Sequence, residues 1–253
     1  MDSATLPSPH IKLFAPSLPQ ANKFGISAAA AAHLMVTIRP YARMDEGDLI
    51  TLFWDGCYVA SKLLTADDIG QPLALRVPES FVQSGTTSTW YEVQKIGMHP
   101  TLSPSKSVLV KLDRPGGNLA SSCTEENQNL TPLTLPDALL HNGLTAKQLK
   151  KGIALTIEAY PNMAAKDEIT LRWGDVRMDL PAINPRDVGK PITIKVPPAM
   201  ILEAGEDPSL EVTYCVIDLV GNNSRWAPSR ILSVAPLHAT PNASIVIPKS
   251  MFI

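Results

Sequence analysis

The stretch DLITLFWDG, Asp48 to Gly56, returns in altered form as DEITLRWGD, Asp167 to Asp175. Met44 and Met163, Trp54 and Trp173, and Val77 and Val196 each stand 119 residues apart. Between these anchors TADDIGQPLALRVPESFV lies over NPRDVGKPITIKVPPAMI, which keeps Asp68/Asp187, Gly70/Gly189, Pro72/Pro191 and Pro78/Pro197 in step. The separation then grows to 123 at Tyr91/Tyr214 and 124 at Val110/Val234, as extra residues in a surface loop of the second copy would cause. The 253-residue chain therefore reads as two copies of one unit of ordinary domain size.

The period of the apolar residues gives the secondary structure. MVTIRPY, DLITLFW, PLALRVP, TWYEVQKI and KSVLVKL alternate, as do their counterparts IALTIEAY, EITLRW, PITIKVP, VTYCVIDL and RILSVAP; Gly, Pro, Asn and Asp punctuate the gaps. The 23 prolines sit well at strand ends and argue against long helices. In TADDIG, Thr65 is placed as an N-cap with Asp68 three residues on, and in NPRDVG, Asn184 precedes Pro185; each predicts one helical turn. A first strand near Lys12 to Pro16, matched by Leu130 to Leu135, brings each copy to about seven strands. The fold class expected is all-β, two tandem immunoglobulin-like (fibronectin III-type) antiparallel sandwiches with Trp54 and Trp173 buried. The sandwiches span residues 10–112 and 130–236, joined by a polar linker, 113–129, across which they are free to tilt. A tail, 237–253, is expected to add an edge strand or to dock on a partner.

The motif Y..M...D.ITL.W, followed by D.G.P....VP, a strand with Tyr and Val, and a final S..L.V, resembles the immunoglobulin-like repeats of large surface and secreted proteins of Gram-negative bacteria, notably pseudomonads. The match runs from about Leu18 to Val234 and consists of scaffold residues. The resemblance implies a cell-surface or extracellular role in adhesion, in spacing or in presenting loops, and carries over no catalytic residue.

Composition and motifs exclude several classes. A formal charge of −2 and a pI near 6.2 offer no basic field for nucleic acid. No apolar run reaches the length of a membrane span, and the N-terminus lacks the pattern of a secretory signal. His10, His33, His99, His141 and His238 are scattered and do not recur between copies, no serine lies in a nucleophile elbow, and PGGNLA, Pro115 to Ala120, lacks the spacing of a phosphate loop. We therefore expect no enzyme, no cofactor and no metal. Asp45, Glu46 and Asp48 keep only one counterpart, Asp167, and read as a solvated turn. Cys57, Cys123 and Cys215 occupy unmatched places and read as free thiols, with a dimer bridge through Cys57 or Cys123 as the other reading. Glycosylation sequons at Asn129, Asn222 and Asn242 are weak signals.

Places where the copies differ are the candidates for function, because shared residues meet the needs of the scaffold. Trp90 precedes Tyr91 and should point outward if Tyr91 points inward. Trp226 lies in GNNSRWAPS, read as an end loop, close to Arg225 and Arg230. Exposed aromatic residues beside arginine are hot-spot chemistry, so Trp226, Arg225, Arg230 and Trp90 are the candidate contacts to a protein or glycan on a cell surface. The competing readings are a structural spacer, or an accessory component of a secreted toxin or effector that needs a partner chain.

Overall fold

The computed structural model describes residues 11–119, 125–144 and 146–234. The first unit carries β1 (Ile26–Ser27), β2 (Met35–Ile38), β3 (Leu49–Trp54), β4 (Cys57–Leu63), β5 (Leu73–Arg76), β6 (Gly85–Gln94), β7 (Thr101–Leu102) and β8 (Lys106–Lys111). The second carries β9 (Ile153–Ile157), β10 (Glu168–Trp173), β11 (Val176–Asp179), β12 (Ile192–Val196), β13 (Asp207–Ile217), β14 (Asn223–Trp226) and β15 (Arg230–Val234). Helices are short: α1 (Ala28–Ala31), α2 (Asp137–Asn142), α3 (Ala146–Lys151) and α4 (Pro198–Ala204). None among the described residues is long and apolar enough to cross a membrane.

Each unit is a sandwich of one large and one small sheet. In the first, the order β1-β8-β6-β3-β4, with β7 also on β6, faces the pair β2-β5; in the second, β11-β10-β13-β14, with β15 on β13, faces β9-β12. The inward residues come from strict alternation: β3 and β10 show the same burial pattern, in which Ile50, Leu52 and Trp54 match Ile169, Leu171 and Trp173. Trp54 and Trp173 lie at the centre of two separate apolar cores, the first packed with Val36, Leu75, Tyr91 and Val93 and the second with Leu155, Ile194, Val212 and Tyr214. The all-β sandwich expected from the repeat is the fold.

Three local readings need correction. Neither Lys12–Pro16 nor Leu130–Leu135 forms a strand; single bridges, Ser17 to Thr37 just beyond the first and Thr134 to Thr156 within the second, touch the small sheets. One edge of the large sheet of the first unit is β1, which runs parallel to β8. It approaches so closely at Gly25 that an added Cβ would lie 2.3 Å from the Leu109 carbonyl oxygen, a contact only glycine allows. The helical turn at TADDIG forms, over Ala66–Asp68, with the Asp68 carboxylate accepting from the Thr65 N–H and hydroxyl, both at 2.9 Å. The Thr65 N–H and the Lys62 ammonium hold Asp68 down to about 2. Its counterpart after Asn184 is only a turn, with the Arg186 N–H donating to the Asn184 side chain.

The third correction concerns Asp48 and its counterpart Asp167, which are buried at 3% and 0% exposure and so do not lie in a solvated turn. Each carboxylate caps its turn and accepts from a tyrosine seven residues back: Tyr41 to Asp48 at 2.8 Å and Tyr160 to Asp167 at 3.0 Å. The backbone N–H of Asp45 or Ala164 adds a second bond at 3.2 and 2.9 Å. Burial, reinforced by the adjacent carboxylate, pushes both tyrosine hydroxyls far above their ordinary range. A buried carboxylate persists only when hydrogen-bonded and paired, and the repeated Y-x6-D spacing is the sequence trace of this device.

The described residues of the polar stretch between the units are hydrogen-bonded to the second unit. The Gly116 N–H donates to the Pro161 carbonyl at 2.8 Å and the Asn162 side chain to the Arg114 carbonyl at 2.9 Å. Buried Asn127 bonds the Gly116 and Ser224 carbonyls through its amide group. Cys57 is exposed, Cys215 is buried, and both are free thiols; burial raises the Cys215 thiol pKa. A thiol reagent is thus expected to label Cys57 in the native protein and Cys215 only on unfolding; equal rates would place Cys215 at the surface. Cys123, Asn242 and the tail fall outside the described residues.

Candidate functional site

The outer faces of the two large sheets are where the copies part company. In the first unit, cross-strand register places Tyr58 and Trp90 on either side of Phe53, making a row of three aromatic side chains on the face away from the core. Phe53 and Trp90 stack with centroids 5.5 Å apart and planes 10° from parallel, an arrangement worth about 0.5–1.5 kcal/mol beyond area burial. Tyr58 ends the row 56% exposed. Trp90 is half-buried by its neighbour and points outward, as alternation against Tyr91 requires.

The same row of the second unit holds Arg177, Arg172 and Thr213, the residues in register with Tyr58, Phe53 and Trp90 of the first. Trp226 enters here from β14, opposite Cys215 on β13. The Arg172 guanidinium lies 5.0 Å and that of Arg177 5.6 Å from its ring centroid. Two arginines facing each other across a hairpin repel; the electron-rich face of the indole draws both, and Glu211 pairs with Arg172 at 2.6 Å. Arginine side chains around an indole form a cationic, aromatic surface.

This placement alters the predicted cluster. Trp226 is not on an end loop: Asn223–Trp226 is strand β14, and the Trp226 carbonyl accepts from the Asn127 N–H at 2.7 Å. The chain reads as a loop because Asn, Ser and Pro crowd it, yet β13 is long enough to pair β14 along the same edge beyond the stretch that β15 takes. Arg225, half-buried, takes a φ of +63° and donates its N–H to the Asn223 side chain at 2.6 Å. Arg230 pairs with inward-facing Val212 and sends its Nε to the Leu133 carbonyl at 3.4 Å, which sets it on the opposite side of the sheet from Trp226. Trp90 belongs to the other unit. Arg172 and Arg177 are the partners that sequence reading missed. The two-residue turn Gly174-Asp175 between Trp173 and Val176 makes them cross-strand neighbours, and that was the available signal.

Among the described residues no group of three or more His, Cys, Asp or Glu could hold a metal ion. The sequon at Asn222 is occupied by structure, since the residue is 4% exposed and both atoms of its amide are hydrogen-bonded.

The chain is thus a tandem pair of immunoglobulin-like sandwiches with chemically distinct outer faces. No family model and no curated protein matches its sequence. Among solved structures it is similar to the fibronectin(III)-like modules of Clostridium thermocellum CbhA, at 10% identity over 90% of this chain and 97% of that one, with a TM-score of 0.44. A bacterial ice-binding adhesin, described as retained on a host cell surface, is 13% identical over 85% of this chain, with a TM-score of 0.37; this chain spans 60% of its length. A two-domain fibronectin type III segment of chicken tenascin is 10% identical over 89% of this chain and 99% of that one, with a TM-score of 0.29.

Proposed function

We propose that the protein is a non-enzymatic binding or adhesion module that works outside the cell or on its surface and recognises a protein or glycan through the outer faces of its two large sheets. The observation that carries this reading is the contrast between copies. Their inner rows are kept, whereas the equivalent outer rows are Tyr58–Phe53–Trp90 in one and Arg177–Arg172 with Trp226 in the other. A scaffold needs polar side chains on a solvated sheet face; aromatic residues and arginine there are the composition of interface hot spots. One specific feature favours a second reading, a structural spacer: the units are joined by direct hydrogen bonds and ion pairs, described below.

The test is a glycan-array and cell-surface binding screen of the intact chain beside Trp90→Ala and Trp226→Ala. Each ring is half-buried, so its removal is expected to cost about 1–2 kcal/mol of stability and to leave the fold intact while binding is lost. Unchanged binding in both variants would remove the sheet faces from the site, and no binding by the wild type would favour the spacer.

A further inference from the structure

The buried Tyr–Asp device is built twice, but its cation comes from different places. In the first unit Lys95 completes it, with Nζ 2.9 Å from Asp48 and 2.9 Å from Asp45. Burial works against this ammonium, and the two carboxylates overcome that penalty and raise its pKa. In the second unit the position in register with Lys95, 123 residues on, is Asp218. An acid therefore stands where the device needs a base, beside Asp167, and both are buried. Two like charges in one desolvated site are unfavourable without a cation.

The cation is supplied by the other unit. Lys111, the last residue of β8, reaches across with Nζ 2.9 Å from Asp218 and 4.0 Å from Asp167. Asn222 closes the contact around it. Its side-chain amide donates to the Lys111 carbonyl at 2.8 Å and to Asp218 at 2.9 Å, and its carbonyl accepts from the Ala28 N–H at 2.8 Å. Asp218 in turn accepts from the Val220 and Asn222 N–H groups, which fixes the loop that carries Asn222. Asn22 adds a bond to the Leu219 carbonyl at 3.3 Å.

We propose that Lys111 is a lysine lent by the first sandwich to the second: it replaces the missing counterpart of Lys95 and thereby locks the two units into one rigid body with a fixed orientation. The pole of the second unit formed by Asp167, Asp218 and Asn222 is thus an interaction surface, incomplete alone, whose fitting partner is the end of a preceding sandwich that presents a lysine and free backbone groups. Such a joint would set the angle between the units in spite of a linker of polar, turn-forming composition. It also holds the two outer sheet faces at a set angle, whatever they bind.

Nitrogen-15 relaxation on the full chain reads the joint directly. Wild type is expected to give one rotational correlation time for both units; Lys111→Met is expected to split it in two and to speed amide exchange at Val220 and Asn222 by about tenfold or more, with amides of the first core unchanged. Lys111→Arg, which keeps the charge, should retain the single correlation time. Adding Asp218→Lys to Lys111→Met writes the first unit's arrangement into the second; it should restore slow exchange around Asp167 without restoring shared tumbling. Separate tumbling in wild type, shared tumbling in Lys111→Met, the same behaviour in the Met and Arg variants, or failure of Asp218→Lys to slow exchange would each overturn the proposal.

Discussion

Trp173→Ala is expected to destabilise the second sandwich by about 3–5 kcal/mol, and Trp54→Ala the first by a similar amount. Both rings are essentially inaccessible, at 0% and 1% exposure, at the end of an interior strand, paired on both edges, of each large sheet. An alanine there removes the largest single piece of apolar surface in its core and leaves a cavity that two hydrogen-bonded sheets cannot close. Trp173→Phe, which refills part of the cavity, should recover about half of the loss. Chemical denaturation followed by circular dichroism is the measurement. Because the cores are separate, each alanine should shift the transition of its own unit more than the other's, and a loss below about 1 kcal/mol would contradict the core position.

How much of this was legible in the sequence depends on the range of the interaction. Alternation along DLITLFW and EITLRW is set by the pleat of a single strand, so the inward residues, the two tryptophans and the sandwich class could be read from the repeat. Trp90 followed from the same rule. Trp226 did not, because its place depends on the segment pairing with the far end of β13, beyond β15, and nothing local in NNSRW encodes that. The buried Asp48 was misread for a related reason: an acid in a glycine-containing turn looks solvated until a tyrosine seven residues away closes over it. The recurrence of Tyr41 and Asp48 as Tyr160 and Asp167 could have shown it. Lys111 was hidden further still, since its partner lies in the other copy. The clue was negative: the second copy lacks a counterpart of Lys95 and places an acid there.

The second copy of the device should also respond to pH where an ordinary carboxylate does not. Burial raises the pKa of Asp167; the Ala164 N–H, the Tyr160 hydroxyl and the Lys111 ammonium pull it down, and Asp218 pushes it up. One carboxylate oxygen of Asp167 accepts the bonds from Tyr160 and Ala164, while the other is buried without a hydrogen bond. With a raised pKa, the folded protein holds a proton on Asp167 at pH values where the unfolded chain, near about 3.9, has already released it. The folded state then binds more protons than the unfolded one, and stability falls as pH rises through the raised value. The contribution is complete below the unfolded pKa and is lost above the folded one, opposite to the usual behaviour of a paired carboxylate. Asp167→Asn keeps an oxygen for Tyr160 and Ala164 and cannot ionise. Relative to wild type it should therefore gain stability steadily from about pH 4 upward and level off once Asp167 is fully charged. Denaturation midpoints of the two proteins across that range decide the matter: a difference that does not change with pH would mean that Asp167 ionises as an exposed aspartate does, and that Lys111 and the turn fully compensate its burial.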